Sequence, residues 1–146
     1  MSNAQKYCDF DKFEKLNALR HERIFIDVTI SIGGRKYLAH KIVLCSMSDF
    51  FKAMFTSDFE EKNSSNAKID EEHVNADVFE QIIEFGYTSK IEITERNALY
   101  LFEACQFLLL ESLQKAATQF LSENLKNENF VKTYSAAIKY DCRELL

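Results

Sequence analysis

Seven side chains in the sequence offer the nitrogen and sulfur donors of a metal site or a thiol–imidazole nucleophile: three histidines (His21, His40, His73) and four cysteines (Cys8, Cys45, Cys105, Cys142). A metal site needs ligands that converge, and sequence shows this as paired spacings such as CxxC, HxxxH or HExxH. None of the seven stands in such a pair. His40 and Cys45 are the nearest two, and their five-residue spacing on one expected helix turns them away from each other. A phosphate cradle needs a glycine-rich turn between a strand and a helix. The glycine pair here, Gly33-Gly34, lies between two strand-like runs instead. The reading is a non-enzymatic chain with no catalytic residue, no cofactor and no metal. What remains is the chemistry of contact. Phe59 is the one large apolar residue in the polar run SDFEEKNSSNAK (57–68). A ring on such a connector either folds back on its own core or fills a pocket on another protein.

Those residues must be positioned by one domain's worth of chain, 146 residues. Hydrophobic residues make up 47% and charged residues 28%, which excludes global disorder. Proline is absent and glycine occurs three times, where average usage would place about seven prolines. Many short strands need more turn residues than this, so composition favours helix. The net charge of −5 argues against nucleic acid as a partner. The surplus sits in the middle third, where residues 51–100 hold 5 basic and 11 acidic side chains. The scattered cysteines read as free thiols in a reducing compartment, cytoplasmic with the nucleus also open. No apolar run reaches the ~18–20 residues that span a bilayer, and there is no basic-then-apolar leader. Met1–Ala4 reads as a cloning remnant.

Period assigns the elements. Phe10, Phe13, Leu16 and Leu19 recur at helical spacing across residues 10–20. In IFIDVTISI (24–32), Val28, Ile30 and Ile32 alternate with polar residues, as in a half-buried strand. Gly33-Gly34 then predicts a hairpin into Arg35–Leu38, because two-residue hairpin turns need positive φ. His40, Val43, Leu44 and Met47 restore helical spacing. Ser48 is placed to cap a second short helix, DFFKAMF. Ala67–Ile69 is a candidate short strand. Asn75 is placed to cap a helix whose apolar face is Val78, Phe79, Ile82 and Ile83. Three further helical stripes follow: Ala98, Leu101, Phe102, Cys105 and Leu108; Leu113, Ala116, Ala117, Phe120 and Leu121; and Phe130, Tyr134, Ala137 and Ile138. Their short connections predict antiparallel neighbours. The class is α+β, a small sheet with a dominant cluster of antiparallel helices. The pattern stops at Asp141–Leu146 without a stop signal, as expected of a chain cut from a longer one.

From Phe25 to Phe55 the sequence FIDVTISIGGRKYLAHKIVLCSMSDFFKAMF resembles the BTB/POZ domain. The shared features are Asp27-Val28, the Gly33-Gly34 turn, Ala39-His40-Lys41, Val43-Leu44, Ser48, Phe51 and Met54-Phe55. VFEQIIEFGYTSKIEI (78–93) and LFEACQFLLLESLQKAATQFL (101–121) continue the match. Two turns depart from the family pattern: Ser48-Asp49-Phe50-Phe51 lacks its proline, and Tyr87-Thr88-Ser89 lacks its glycine. Residues 123–146 are similar to the helical pair, the three-box, that opens the BACK region of BTB–BACK–Kelch proteins, with Asn129-Phe130-Val131 at the family's Asn-Cys-Leu.

The resemblance implies a BTB/POZ domain over residues 8–125 and the start of a BACK region over 126–146. It implies a dimeric substrate adaptor for a cullin-3 ubiquitin ligase, with substrates held by a C-terminal Kelch domain absent from this chain. Cullin contacts are expected from Phe51, Met54, Asp58, Phe59, Glu61, Phe130 and Tyr134. The homodimer interface is expected from Phe10, Phe13, Leu16, Ile24, Phe25 and Ile26, because the family exchanges its N-terminal helix and adjoining strand across a two-fold axis. Asp27 and Lys41 match a charged pair read as structural. The alternatives are the dimerisation domain of a transcriptional repressor and a cytoskeletal Kelch protein without a ligase role. Neither nucleic acid nor membrane is expected as a partner.

Overall fold

The computed structural model describes residues 3–9, 11–57 and 64–146. The chain forms α1 (Asp11–His21), the hairpin β1 (Val28–Ile32) and β2 (Arg35–Ala39), α2 (Lys41–Met47), α3 (Asp49–Thr56) and β3 (Asn66–Ile69). Four helices follow: α4 (Ala76–Thr88), α5 (Ala98–Leu108), α6 (Glu111–Glu123) and α7 (Asn127–Lys139). A short 3-10 turn, Arg143–Leu145, ends it. The sheet order is β2-β1-β3. β1 pairs antiparallel with β2, Ile30 opposite Tyr37, and parallel with β3, Ile30 opposite Ala67. This is the α+β class expected from the change of period.

The alternation in β1 points Val28, Ile30 and Ile32 inward, with Tyr37 and Ala39 from β2 and Ala67 and Ile69 from β3. Helix α4 covers them with Val78, Phe79, Ile82 and Ile83. The Phe79 ring meets Tyr37 edge-on at 5.1 Å and Phe51 at 6.3 Å. Full burial of each such ring stabilises the fold by about 1.5–3 kcal/mol. Two predicted caps set the helix starts. Ser48 Oγ accepts from the Phe51 N–H at 3.2 Å and donates to the Leu108 carbonyl at 2.6 Å, tying the start of α3 to the end of α5. Asn75 Oδ1 accepts from the amides of Asp77 and Val78.

The helix ends show what a chain with three glycines must do. α1 closes with Arg23 donating to Arg20 O at 3.1 Å and Ile24 to Leu19 O at 2.9 Å. That is the Schellman pattern, and it puts its linking residue in the left-handed region, where glycine is usual. Here that residue is Arg23, at φ 59°. Leu109 (φ 55°) ends α5 and Asp141 (φ 50°) ends α7, each followed by an amide donating five residues back. Ser89 ends α4 at φ 60°, the position where the family turn carries glycine. The strand expected from Ile24 starts only at Val28, because Arg23 and Phe25 both have positive φ and break the extended run.

Each of these residues carries a Cβ in a region that disfavours it by about 1 kcal/mol. Ser89→Gly and Arg23→Gly should therefore each raise the urea unfolding free energy by about 1 kcal/mol at an unchanged m value. A fall in the midpoint for both variants would show that the backbone at these ends is not held as described.

Candidate protein-interaction site

The N-terminal face is built on a buried polar node. Tyr87 of α4 is fully buried, and its hydroxyl accepts from the His40 backbone N–H at 2.9 Å. His40 Nδ1 lies 2.6 Å from the same hydroxyl, and Nε2 lies 2.7 Å from the Ile24 carbonyl. A carbonyl only accepts, so Nε2 carries the proton, and Nδ1 accepts from the tyrosine. The Arg20 guanidinium of α1 stacks over the Tyr87 ring at 5.1 Å. Burial pushes the Tyr87 phenol up, against the opposing pull of the His40 amide and the Arg20 charge. Beside the node, the Asp27 carboxylate accepts from the Lys41 backbone N–H at 2.7 Å. This gives α2 an N-terminal acceptor that His40, its N-cap, does not supply with its own side chain. The Lys41 ammonium lies over the Phe55 ring at 5.3 Å.

Around that node lie the residues expected at a dimer interface. Phe25 is 83% exposed, Phe13 and Ile24 are partly exposed, and Leu16 and Ile26 are half-buried. Phe10 lies outside the described residues. Ile42 adds a large exposed apolar side chain next to Lys41. The sequence signal for it was a β-branched apolar residue off the face defined by Val43, Leu44 and Met47. A second feature is the segment Lys90–Thr94. Ile91 and Ile93 alternate inward while Lys90 and Glu92 face out, as in a strand. It has no strand partner among the described residues.

The C-terminal face is α7. It turns Thr133, Ala136 and Ala137 inward. Of the predicted stripe Phe130, Tyr134, Ala137 and Ile138, only Ala137 is buried. Small residues let α7 approach the helices behind it closely, and the large ones are left on the outer side. Phe130 (47% exposed) and Tyr134 (44%) stack face to face, their centroids 5.6 Å apart and their planes 10° from parallel. Val131 and Ile138 extend this apolar surface. The helix is anchored at its start by Lys126 Nζ on Glu95 at 2.8 Å and by Asn129 Oδ1 accepting from the Lys126 N–H.

The residues expected from the connector divide. Asp58, Phe59 and Glu61 lie outside the described residues. Met54 is half-buried at the edge of the core. Phe51 is a correction: it has no exposed surface, its ring stacks on Phe55 at 5.8 Å, and it cannot touch a partner. It is a core residue at the start of α3.

A sequence profile comparison places this fold. The profile of the BTB/POZ domain matches residues 16–125. The chain belongs to the BTB/POZ family. Kelch-like protein 23 of Mus musculus is 39% identical over 123 residues, 84% of this chain and 22% of that relative's length. The chain spans only that small part of the curated relative it matches.

Within this BTB/POZ domain one aromatic group was invisible to sequence reasoning. His73 stacks flat on Phe107 at 4.5 Å, and Phe107 meets Phe50 at 4.8 Å. Residues so far apart in sequence are joined only by the packing of α3, α5 and the turn before α4. The four free cysteines divide by exposure, with Cys45 half-buried. Cys105 and Cys142 are buried and Cys8 is exposed. Burial pushes the Cys105 thiol up to about 12.

The folded domain therefore keeps Cys105 protonated well above neutrality, while the unfolded chain loses that proton near 9.0. A raised folded pKa contributes its full stability below pH 9.0 and loses it as pH rises toward 12. Unfolding measured from pH 8 to 11 should show a decline that is shallower in Cys105→Ala. Iodoacetamide should label Cys8 in the native chain and reach Cys105 only on unfolding. Equal labelling of both would contradict the packing of α5.

Proposed function

We propose that this BTB/POZ domain is a dimeric protein-interaction module that recruits cullin-3 and serves as the adaptor end of a ubiquitin-ligase subunit. The observation that carries the reading is the outer face of α7. Stacked, half-exposed rings at positions 130 and 134, flanked by Val131 and Ile138, form an apolar surface that the fold itself leaves uncovered. Clustered aromatic residues of this kind are the usual anchors of protein interfaces. On this reading residues 126–146 open the BACK region, and Phe59 and Glu61 on the acidic connector complete the docking surface. Substrates are held by a Kelch domain elsewhere in the longer protein, in the cytoplasm. The N-terminal face supports the dimer, since Phe25 is displayed outward and Lys90–Thr94 offers an unpaired edge. A dimer presents two substrate arms and two ligase arms, which raises effective concentration without further contacts.

Titration of the chain with the N-terminal region of cullin-3 should give submicromolar binding. The double variant Phe130→Ala, Tyr134→Ala should weaken it tenfold or more, and Phe59→Ala or Glu61→Lys should each abolish it. Absence of binding by the unaltered chain would remove the adaptor reading. Self-association without cullin affinity would point to the cytoskeletal alternative.

A further inference from the structure

Of the two left-handed residues next to β1, Arg23 is accounted for as the glycine-like link that closes α1. Phe25 is not. It ends no helix, yet it stands at φ 61° with its ring 83% exposed. A bulky aromatic residue in this region is an outlier, and such outliers persist only where the surroundings hold them. The surroundings here are identifiable. The Ile24 N–H is taken by the Leu19 carbonyl at 2.9 Å, and the Ile24 carbonyl by His40 Nε2 at 2.7 Å. On the other side the Asp27 N–H donates to the Ala39 carbonyl at 3.3 Å, and its carboxylate takes the Lys41 N–H. Phe25 and Ile26 bridge these fixed points. The backbone is thus clamped on both sides of the residue that carries the strain.

We propose that His40 is a positioning residue for self-association, a latch whose Nε2–H holds the Ile24 carbonyl and so displays the Phe25 ring to a second copy of this chain. The proposal rests on the dimer reading given above. His40 is only 8% exposed, and both ring nitrogens are committed, one to Ile24 and one to the Tyr87 hydroxyl. The Ile24 carbonyl, which only accepts, requires the proton on Nε2, and the Tyr87 hydroxyl matches that tautomer by donating to Nδ1. Arg20 over the Tyr87 ring brings α1 into the same arrangement. The clamp links three elements of the N-terminal face, α1, the turn and the start of α2, through one buried hydroxyl on α4.

The test measures self-association of the whole chain by sedimentation equilibrium, beside thermal unfolding of each variant. His40→Leu removes the donor and should weaken association tenfold or more. His40→Gln keeps an N–H that reaches the Ile24 carbonyl and should restore most of it. Tyr87→Phe keeps the ring under Arg20 but frees Nδ1, should weaken association by an intermediate factor, and serves where His40→Leu does not fold. Ile82→Val, a core change away from the node, should lower the unfolding temperature and leave association unchanged. A chain that dimerises as tightly with leucine or phenylalanine at these positions would overturn the latch and leave the dimer standing. If His40→Leu, His40→Gln and Ile82→Val weaken association in proportion to their loss of stability, the role is structural only and the proposal also falls. An unaltered chain that stays monomeric, with Phe25→Ala changing nothing, would remove both the dimer reading and the latch.

Discussion

A single buried hydroxyl, that of Tyr87, ties the N-terminal half of the domain together. It receives the first amide of the α2 region, donates to the histidine ring that holds the turn after α1, and sits on the helix that covers the sheet. Such a group is tolerable inside a core only when its hydrogen-bonding capacity is used, and here it is used on both sides. No buried side-chain nitrogen or oxygen among the described residues lacks a partner. The apolar core that runs from the sheet through α4 to α5 and α6 provides the bulk of the stabilisation. The hydroxyl network decides which way the segments leaving that core must point.

The second constraint is a shortage of glycine and proline. The hairpin keeps its two glycines, Gly33 at φ 54° and Gly34 at φ 81°, where a two-residue turn between twisted strands requires them. The third, Gly86, lies where α4 passes α2, and a Cβ there would crowd the Met47 thioether. None is left for the helix ends, so Arg23, Ser89, Leu109 and Asp141 take left-handed conformations instead. The domain carries small strains at several surface turns, each offset by the cooperative packing of the helix that it ends. Phe25 differs from these in kind, because the strain is held by hydrogen bonds from another part of the fold.

The two proposed interaction faces use different physical devices. On α7, small residues face inward and aromatic ones outward, so the surface is a direct consequence of how closely the helix packs on its neighbours. On the N-terminal face, the apolar residues are scattered along a helix, a kinked turn and the exposed side of α2. They form a surface only because the buried node brings those three pieces together. The first surface is carried by the residues of one helix, turned outward by the packing of its small residues on the core. The second depends on the tertiary arrangement of the domain.

The sequence by itself determined the elements and most of the core. The period-2 run at Val28–Ile32, the paired glycines, the Ser48 and Asn75 caps and the stripes of α4 and α5 all act through neighbours along the chain. Local sterics and hydrogen bonds carry that information, and the ordered motifs from Phe25 to Leu121 identify the BTB/POZ family. Only the tertiary structure decided orientation. It turned Phe130 and Tyr134 outward although they continue an apolar stripe with Ala137, because the closest packing goes to the side with small residues. It buried Phe51, which the resemblance places among the contact residues, because its ring stacks on Phe55 and meets Phe79 inside the core. It cut the first strand short at Val28, because the end of α1 and the reach of His40 bend residues 23–25. It stacked His73 on Phe107, since no rule of spacing connects residues that meet only when the helices are packed.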